Sequence, residues 1–424
     1  MNLIHDTLAR QICLKQDIIQ QWFKRQAEQT PLPIHCSVDL RDAGFKIAPV
    51  DCNLFPAGFN NICEKDLQAA PNQLKKWIEA QTQAGRLPEV KSVVVISEEN
   101  TRNHFYAENL FYLLRIIEQA GFSCELGWPV LGESQVLESV SGEKLQAQAL
   151  TLDNDRLTSK TLNPDLIILN NDFSGGLPKF FSTLEQPVLP SWKLGWHTRK
   201  KSRHFEIYNE LAKEFSELIE VDPWMIQIAT NVVEPVNFNE SQGIEQTADV
   251  AKRLLESMKK EYSKRAIPDK PVAFIKSNQG TYGMGVMAIE SAEELLTINR
   301  RVKNKMSVGK NRKGIEGMIV QEGIPTSLSI HEKPAEAVIY LIGCELIGGF
   351  MRSNPEKGRN ENLNARGMVF KKFCMSDLQT FLNGTVNETD PPYRNHLFEL
   401  VYGSIAKLSA LAAGKESTQS ASSP

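Results

Sequence analysis

Between Pro271 and Ile289 the chain reads PVAFIKSNQGTYGMGVMAI, an apolar run carrying one lysine, a polar loop with three glycines, and a second apolar run. Two strands joined by such a loop can form a flap over nucleotide phosphates. Glycine lets the backbone turn tightly and bring N–H donors against phosphate oxygens, and Lys276 adds a fixed positive charge from the strand. No Gly-Lys-Ser/Thr closes the loop, and Gly280, Gly283 and Gly285 give G-x-x-G-x-G between two strands, not G-x-G-x-x-G between strand and helix. On these residues alone, a glycine-rich hairpin with a surface lysine is an equal alternative.

Two more polar clusters follow buried-strand patterns. SEENTRNHFY, 97–106, comes after KSVVVIS, and NNDFSGG, 170–176, comes after the apolar run of PDLIILNND. Continuous apolar runs alternating with helical spacing over 105–120 imply a parallel sheet flanked by helices, with ligands gathering past the strand ends. Amide, hydroxyl and carboxylate groups there suit a small zwitterion, although single residues of these types also cap helices and turns.

The remaining elements must position these groups. Helical spacing covers 5–28 and 64–84, with short strands at 34–40 and 45–50 between them. The basic stretch HTRKKSRH opens an amphipathic helix reaching about Leu218, and a further helix covers 245–263. After the glycine loop come a helix at 291–303, strands at 317–321, 336–343 and 345–351, and a last helix at 394–412. The polar end, GKESTQSASSP, is expected to be disordered.

Composition excludes several classes. With 41% apolar and 23% charged residues the chain is an ordinary globular protein, and a net charge of -3 gives no general attraction to nucleic acid or anionic membrane. No segment approaches the ~20 apolar residues of a membrane helix. Cys13, Cys36, Cys52, Cys63, Cys124, Cys344 and Cys374 show no C-x-x-C pair, so reduced thiols and a cytoplasmic setting are expected. The oligomeric state is not legible.

Taken together, the lysine strand and glycine loop, MIVQEG at 318–323, EAVIYLIG at 336–343, GGFMRSN at 348–354 and NLNARG at 362–367 form an order that resembles the ATP-grasp superfamily. That resemblance implies that Lys276 contacts the α- and β-phosphates and that the flap, Gly280, Thr281, Tyr282, Gly283 and Gly285, closes on the triphosphate. Gln321 and Glu322 would receive adenine and ribose at the hinge, and Arg352 would steady the transferring phosphoryl group. A second phosphate lysine is expected upstream, with Lys201 as candidate and Lys200 as competitor.

The superfamily's metal-binding strands are missing from the C-terminal end. SVDLRDAGFKIAPVDCNLFPAGFNN, 37–61, supplies Asp39 and then Asp51-x-Asn53 near the N-terminus instead. Two carboxylates and an amide oxygen make a hard-oxygen set for Mg²⁺, although Asp also occupies turns frequently. The expected fold is therefore α/β: a circularly permuted ATP-grasp core with an inserted Rossmann-like parallel-sheet domain. Its expected divisions are 1–85 for the N-terminal helix and metal strands, 86–195 for the substrate domain, 196–415 for the nucleotide-binding subdomains, and 416–424 for the tail.

More narrowly, the motif at 37–61 with ENTRNHFY, LNNDFSGG, GWHTRKKSRHFEIYNEL, KSNQGTYGMGV, VQEG, GGFMRSN and ENLNARG closely resembles the ATP-grasp type of bacterial glutamate–cysteine ligase. The implied partners are glutamate, cysteine, ATP and Mg²⁺. Arg102 with Thr101, Asn103, Tyr106, Asn171 and Asp172 then forms the candidate glutamate shell, because arginine offers a bidentate fork to a carboxylate. FKKFC at 370–374 departs from the family pattern and is placed outside the site. The alternatives are another carboxylate–amine ligase, such as a glutathione synthetase or dipeptide ligase, and a non-catalytic ATP-binding protein.

Overall fold

Residues 36–41 alternate apolar and polar side chains, and this period of two decides which face of the strand each residue occupies. The computed structural model describes every residue except 1–2, 100–102, 174–175, 196–197, 280–284, 308–314, 316, 376–397 and 422–424. In it, Cys36–Asp42 forms an antiparallel hairpin with Ile47–Asn53 and joins a sheet ordered Val369–Lys372, Glu345–Ser353, Lys333–Ile342, Cys36–Asp42, Ile47–Asn53. Asp39 lies opposite Val338 and Leu40 opposite Ala337, so strands from distant parts of the chain share one ladder.

The two faces of this sheet do different work. Val38, Leu40, Ala337, Ile339 and Met351 are buried in a core with side chains of helices Lys201–Ile219 and Gly403–Ala421. Burial of each such aliphatic side chain contributes about 1.5–3 kcal/mol. The alternate residues, Ser37, Asp39, Arg41, Glu336 and Arg352, line a cavity on the opposite side. Edge strand Ile47–Asn53 tolerates Pro49, and the register slips there: Asp39 pairs with Asp51 but Leu40 with Pro49, leaving Val50 as the extra residue.

A second sheet runs Val188–Leu189, Leu166–Leu169, Ser92–Ile96, Ser123–Gly127, Lys144–Gln148 in parallel, with Gln135–Glu138 antiparallel at its edge. Helices Ala70–Gln83 and His104–Gln119 bury Trp77, Leu110 and Leu113 in one core with Val93 and Val95 of this sheet and Val338 and Phe350 of the first. Thr230–Val233, Met318–Gly323, Val272–Ser277 and Met287–Ile289 make a third, antiparallel sheet covered by helix Ser241–Lys264. The parallel strands and long helices follow the sequence pattern. The helix expected over 5–28 instead divides into Leu3–Leu14 and Gln16–Gln29, and the short strands between 135 and 158 were not anticipated.

Helix Leu3–Leu14 and the turn leading into Gly403–Ala421 meet at Asp42. Its carboxylate accepts from His5 Nε2 at 2.6 Å and from the Tyr402 hydroxyl. The expected disordered tail from 416 is replaced by helix as far as Ala421, because Glu416 is buried against the Arg199 guanidinium at 2.9 Å. The small face of this helix permits close packing: a Cβ on Gly414 would stand 2.6 Å from Thr30 Cγ2. Cys63 and Cys374 form a disulfide, Cα–Cα 5.2 Å, in place of the reduced thiols expected, because the segment after the hairpin and the end of the edge strand lie side by side. Among the described residues no helix is long and apolar enough to cross a membrane.

Removing one partner of a buried ion pair strands the other's charge. Glu416→Ala is therefore expected to lower the unfolding free energy by about 3–5 kcal/mol in guanidinium titrations. Burial opposes ionisation of Glu416, but Arg199 and His204 hold its carboxyl down to about 2. A depressed folded value means the contribution is present above about 4.5 and is lost as the pH falls toward 2. Wild type and variant should thus converge in stability under acid; a constant difference across that range would refute the pair's ionic role.

Candidate active site

The three larger sheets all contribute to one cavity of about 840 Å³. On the first sheet the face-sharing positions form a chain of charge across adjacent strands. Arg41 Nε meets Glu336 Oε2 at 2.5 Å, Arg352 Nη1 meets Glu336 Oε1 at 2.8 Å, and the same Nη1 meets Asp39 Oδ2 at 2.7 Å. All four residues are buried. Burial works against the Glu336 carboxylate, yet the two arginines win and lower its pKa. Burial pushes the Asp39 carboxyl up; Arg352 pulls the other way, and Glu336 and Asp51 crowd it with like charge. Buried ion pairs are often no more stabilising than apolar packing, so such an array on a cavity wall answers to a ligand more than to the fold.

Two lysines complete the cation set. Lys201 begins its helix, where Asn278 O accepts its backbone N–H at 2.8 Å and Asn278 Oδ1 accepts Ser202 N–H at 2.9 Å. That bond ties the helix start to the end of strand Val272–Ser277 and sets Lys201 beside Lys276. The Lys201 ammonium pairs with Asp51, while Lys276 Nζ donates to Gln321 Oε1 at 2.6 Å and to the carbonyl of the extra residue Val50 at 3.2 Å. Burial first, then the Lys201 charge, lowers Lys276 to about 8. Burial raises Asp51, but Lys201, Lys276 and Arg199 hold it at about 2, so it is an ionised oxygen donor. Arg199 also donates to the Cys52 carbonyl, between Asp51 and Asn53.

Two of the cavity's side chains and two beside it carry buried polar atoms with unmet bonding capacity. Arg352 Nε, Gln321 Nε2, Asn278 Nδ2 and Ser277 Oγ have no hydrogen-bond partner among the described residues. Leaving such groups unmade costs about 1–3 kcal/mol each. Past the ends of the parallel strands, Asn103, Tyr106, Asn170 and Asp172 line the same cavity. Tyr106 accepts Glu98 N–H at 2.7 Å and donates to Asn170 O at 3.1 Å, fixing the two strand-end loops, and Asn170 Oδ1 has no partner among the described residues.

The structure thus brings together Asp39, Asp51, Asn53, Lys201, Lys276, Arg352, Asn103, Tyr106 and Asp172. It turns three others away. Asn171 spends its amide on Ser97 O at 3.1 Å and Phe173 N at 2.8 Å, and neighbouring Asn170 takes the cavity position. Glu322 lies on the opposite strand face from Gln321, locked to buried Lys46 at 2.7 Å. Lys200 is half-exposed and pairs with Glu234 at 2.7 Å, which separates it from Lys201. Gln321 reaches the site only through Lys276, and Gly285 lies at positive φ after the loop. Gly280, Thr281, Tyr282, Gly283, Thr101 and Arg102 fall outside the described residues.

Sequence reasoning missed Arg41, Glu336, Asn170, Asn362, Asn364 and Phe370, all of which line the cavity. Polar residues at every second position of an otherwise apolar strand, as in Ser37, Asp39, Arg41, were the available signal. Phe370 corrects the placement of FKKFC outside the site.

Fold and cavity describe an α/β protein built to hold charged small molecules. The chain belongs to the glutamate–cysteine ligase family: the family model GshA, glutamate-cysteine ligase, matches residues 9–417. A crystal structure from Methylobacillus flagellatus, assigned as a gamma-glutamylcysteine synthetase, is 32% identical, with a TM-score of 0.85 over 97% of this chain and 96% of that one. Weaker similarities carry no weight for the fold: a glutathione synthetase-like effector from Globodera pallida has a TM-score of 0.42 at 10% identity, covering 87% and 84% of the two chains. D-alanyl-alanine synthetase A from Vibrio cholerae has 0.33 at 10% identity, covering 75% and 80%. Comparison with curated proteins gives no match.

The contrast between neighbouring lysines is testable. Lys201→Met is expected to lower kcat/KM for ATP by about 10²–10³, whereas Lys200→Met should leave it within about twofold, both folding normally by circular dichroism. Equal losses in the two variants would overturn this assignment.

Proposed function

We propose that the γ-carboxylate of L-glutamate attacks the γ-phosphorus of ATP, expelling ADP and forming γ-glutamyl phosphate. The amine of L-cysteine then attacks the acyl carbon, phosphate leaves, a proton is lost from nitrogen, and γ-glutamylcysteine results. Family membership supports the product, and the convergence of Lys201, Lys276 and Arg352 with Asp39 and Asp51 in one cavity is the observation that carries the mechanism.

No enzyme nucleophile is required, so catalysis is positioning and charge neutralisation. Lys201 and Lys276 would face the triphosphate, and the unpartnered Nε of Arg352 would meet the transferring phosphoryl oxygens. Asn170 Oδ1 and the Asp172 carboxylate suit the glutamate ammonium, with Asn103 and Tyr106 beside them. Arg102 and Thr101 remain the candidates for its α-carboxylate, and the loop containing Gly280 and Gly283 for covering the phosphates, both on sequence grounds.

The donor set fits Mg²⁺. Asp39 and Asp51 stand opposite each other in register, two carboxylates crowded by like charge, and Asn53 follows on the same face. These three would hold the ion, which when bound supplies charge neutralisation for the triphosphate. The pairing of Cys36–Asp42 with Lys333–Ile342 supports a permuted ATP-grasp core built from 1–85 and 196–415, and the parallel sheet supports a Rossmann-like insertion at 86–195.

Phosphate release from ATP distinguishes the possibilities. We expect release to require glutamate, to accelerate with cysteine, and to stop when EDTA removes the metal, returning with added Mg²⁺. Release in none of these mixtures would refute ligation, and release unaffected by EDTA would refute the metal assignment.

A further inference from the structure

The wall beside Arg352 changes character abruptly. Phe370 lies directly opposite Arg352 across the paired strands, and its ring meets Phe350 edge-on with centroids 5.1 Å apart. Met368, Val369 and Phe370 all line the cavity, yet they are 39%, 54% and 40% exposed. Exposed large apolar side chains are ordinary when scattered, but three in succession along a substrate cavity form a surface that gains by being covered. Charge is already matched on the neighbouring strands by Arg41, Glu336, Arg352 and Asp39. What is left beside the reacting position is an uncharged wall.

That wall is held in place at both ends. On one side, Asn354 Nδ2 reaches Leu363 O at 3.4 Å, Ala365 O at 3.4 Å and Arg366 O at 3.2 Å, and Arg41 donates to Arg359 O at 3.2 Å and Glu361 O at 2.9 Å. These bonds fix the loop carrying Asn362 and Asn364, whose side chains border the same cavity. On the other side the Cys63–Cys374 disulfide and the Met375 N–H to Asp66 Oδ2 bond, 2.8 Å, secure the strand's end. An edge strand with so little of its own burial is thus pre-organised, as a binding surface must be.

We propose that Phe350, Met368 and Phe370 form the subsite for the acceptor amino acid's side chain, with Asn364 placed for its carboxylate. This rests on the ligase function proposed above and deepens it. The subsite takes a short, uncharged, weakly polar side chain such as a mercaptomethyl or ethyl group. An apolar surface separates groups of similar size poorly and gains little from a hydroxyl it cannot pair. 2-Aminobutyrate should therefore be used within about tenfold of cysteine, and serine about a hundredfold worse.

Steady-state ligation with Phe370→Ala and the conservative Phe370→Leu tests the subsite. The alanine variant should raise the KM for cysteine at least about tenfold, leave the KM values for glutamate and ATP unchanged, and narrow the preference for cysteine over serine. Leucine should restore most of the loss. An unchanged cysteine KM, or an equal rise for glutamate, overturns the subsite while leaving the ligase intact. Calorimetric binding of 2-aminobutyrate, with glutamate and a non-hydrolysable ATP analogue present, separates the two claims without turnover. Weaker binding by the alanine variant supports the subsite even if wild type ligates nothing, whereas equal binding by both refutes it.

Discussion

Arg41, Glu336, Arg352 and Asp39 hold one another across three adjacent strands, and the site depends on this arrangement of alternating charge. Each side chain reaches its partner because the strands pair in one register, with Glu336 directly opposite Arg352. A slip of one residue would send every member to the apolar face and bring aliphatic side chains into the cavity. The same register that buries Leu40, Ala337 and Met351 therefore aims the charges, and the core and the chemistry are two faces of one sheet.

The constraint extends outward through backbone carbonyls. Arg41 uses its remaining donors on the loop bearing Asn362 and Asn364, and Arg199 bonds the backbone between Asp51 and Asn53. Lys276 reaches the bulged carbonyl of Val50. Cationic side chains thus brace main-chain segments around the cavity, while Arg352 Nε and Ser277 Oγ, both on cavity-lining residues, have no partner among the described residues. A ligand rich in oxygen would find these donors already oriented, with little reorganisation remaining.

Much of this arrangement was legible in the sequence. Continuous apolar runs such as KSVVVIS marked the parallel strands because both faces are covered, and DLRDAGFKIAPVD placed Asp39 and Asp51 on adjoining strands. Choices between neighbours were harder. Which of Asn170 and Asn171, or of Lys200 and Lys201, faces the cavity depends on where a strand ends or a helix begins, a matter of one residue. Glu336 escaped notice because its role lies in contacts to Arg41 and Arg352 from other strands, which no local pattern records. The tail misled because its polar composition concealed one carboxylate with a buried arginine to meet.

Pairing of the N-terminal hairpin with Lys333–Ile342 has a consequence for how the chain is born. The Arg41–Glu336 contact spans 295 residues, so ribosomes elongating at about 5–20 residues per second leave the hairpin waiting roughly 15–60 s for its neighbour. Throughout that interval one edge of Cys36–Asp42 has no ladder to join, and the nascent polypeptide needs shielding from self-association until Lys333–Ile342 has been made.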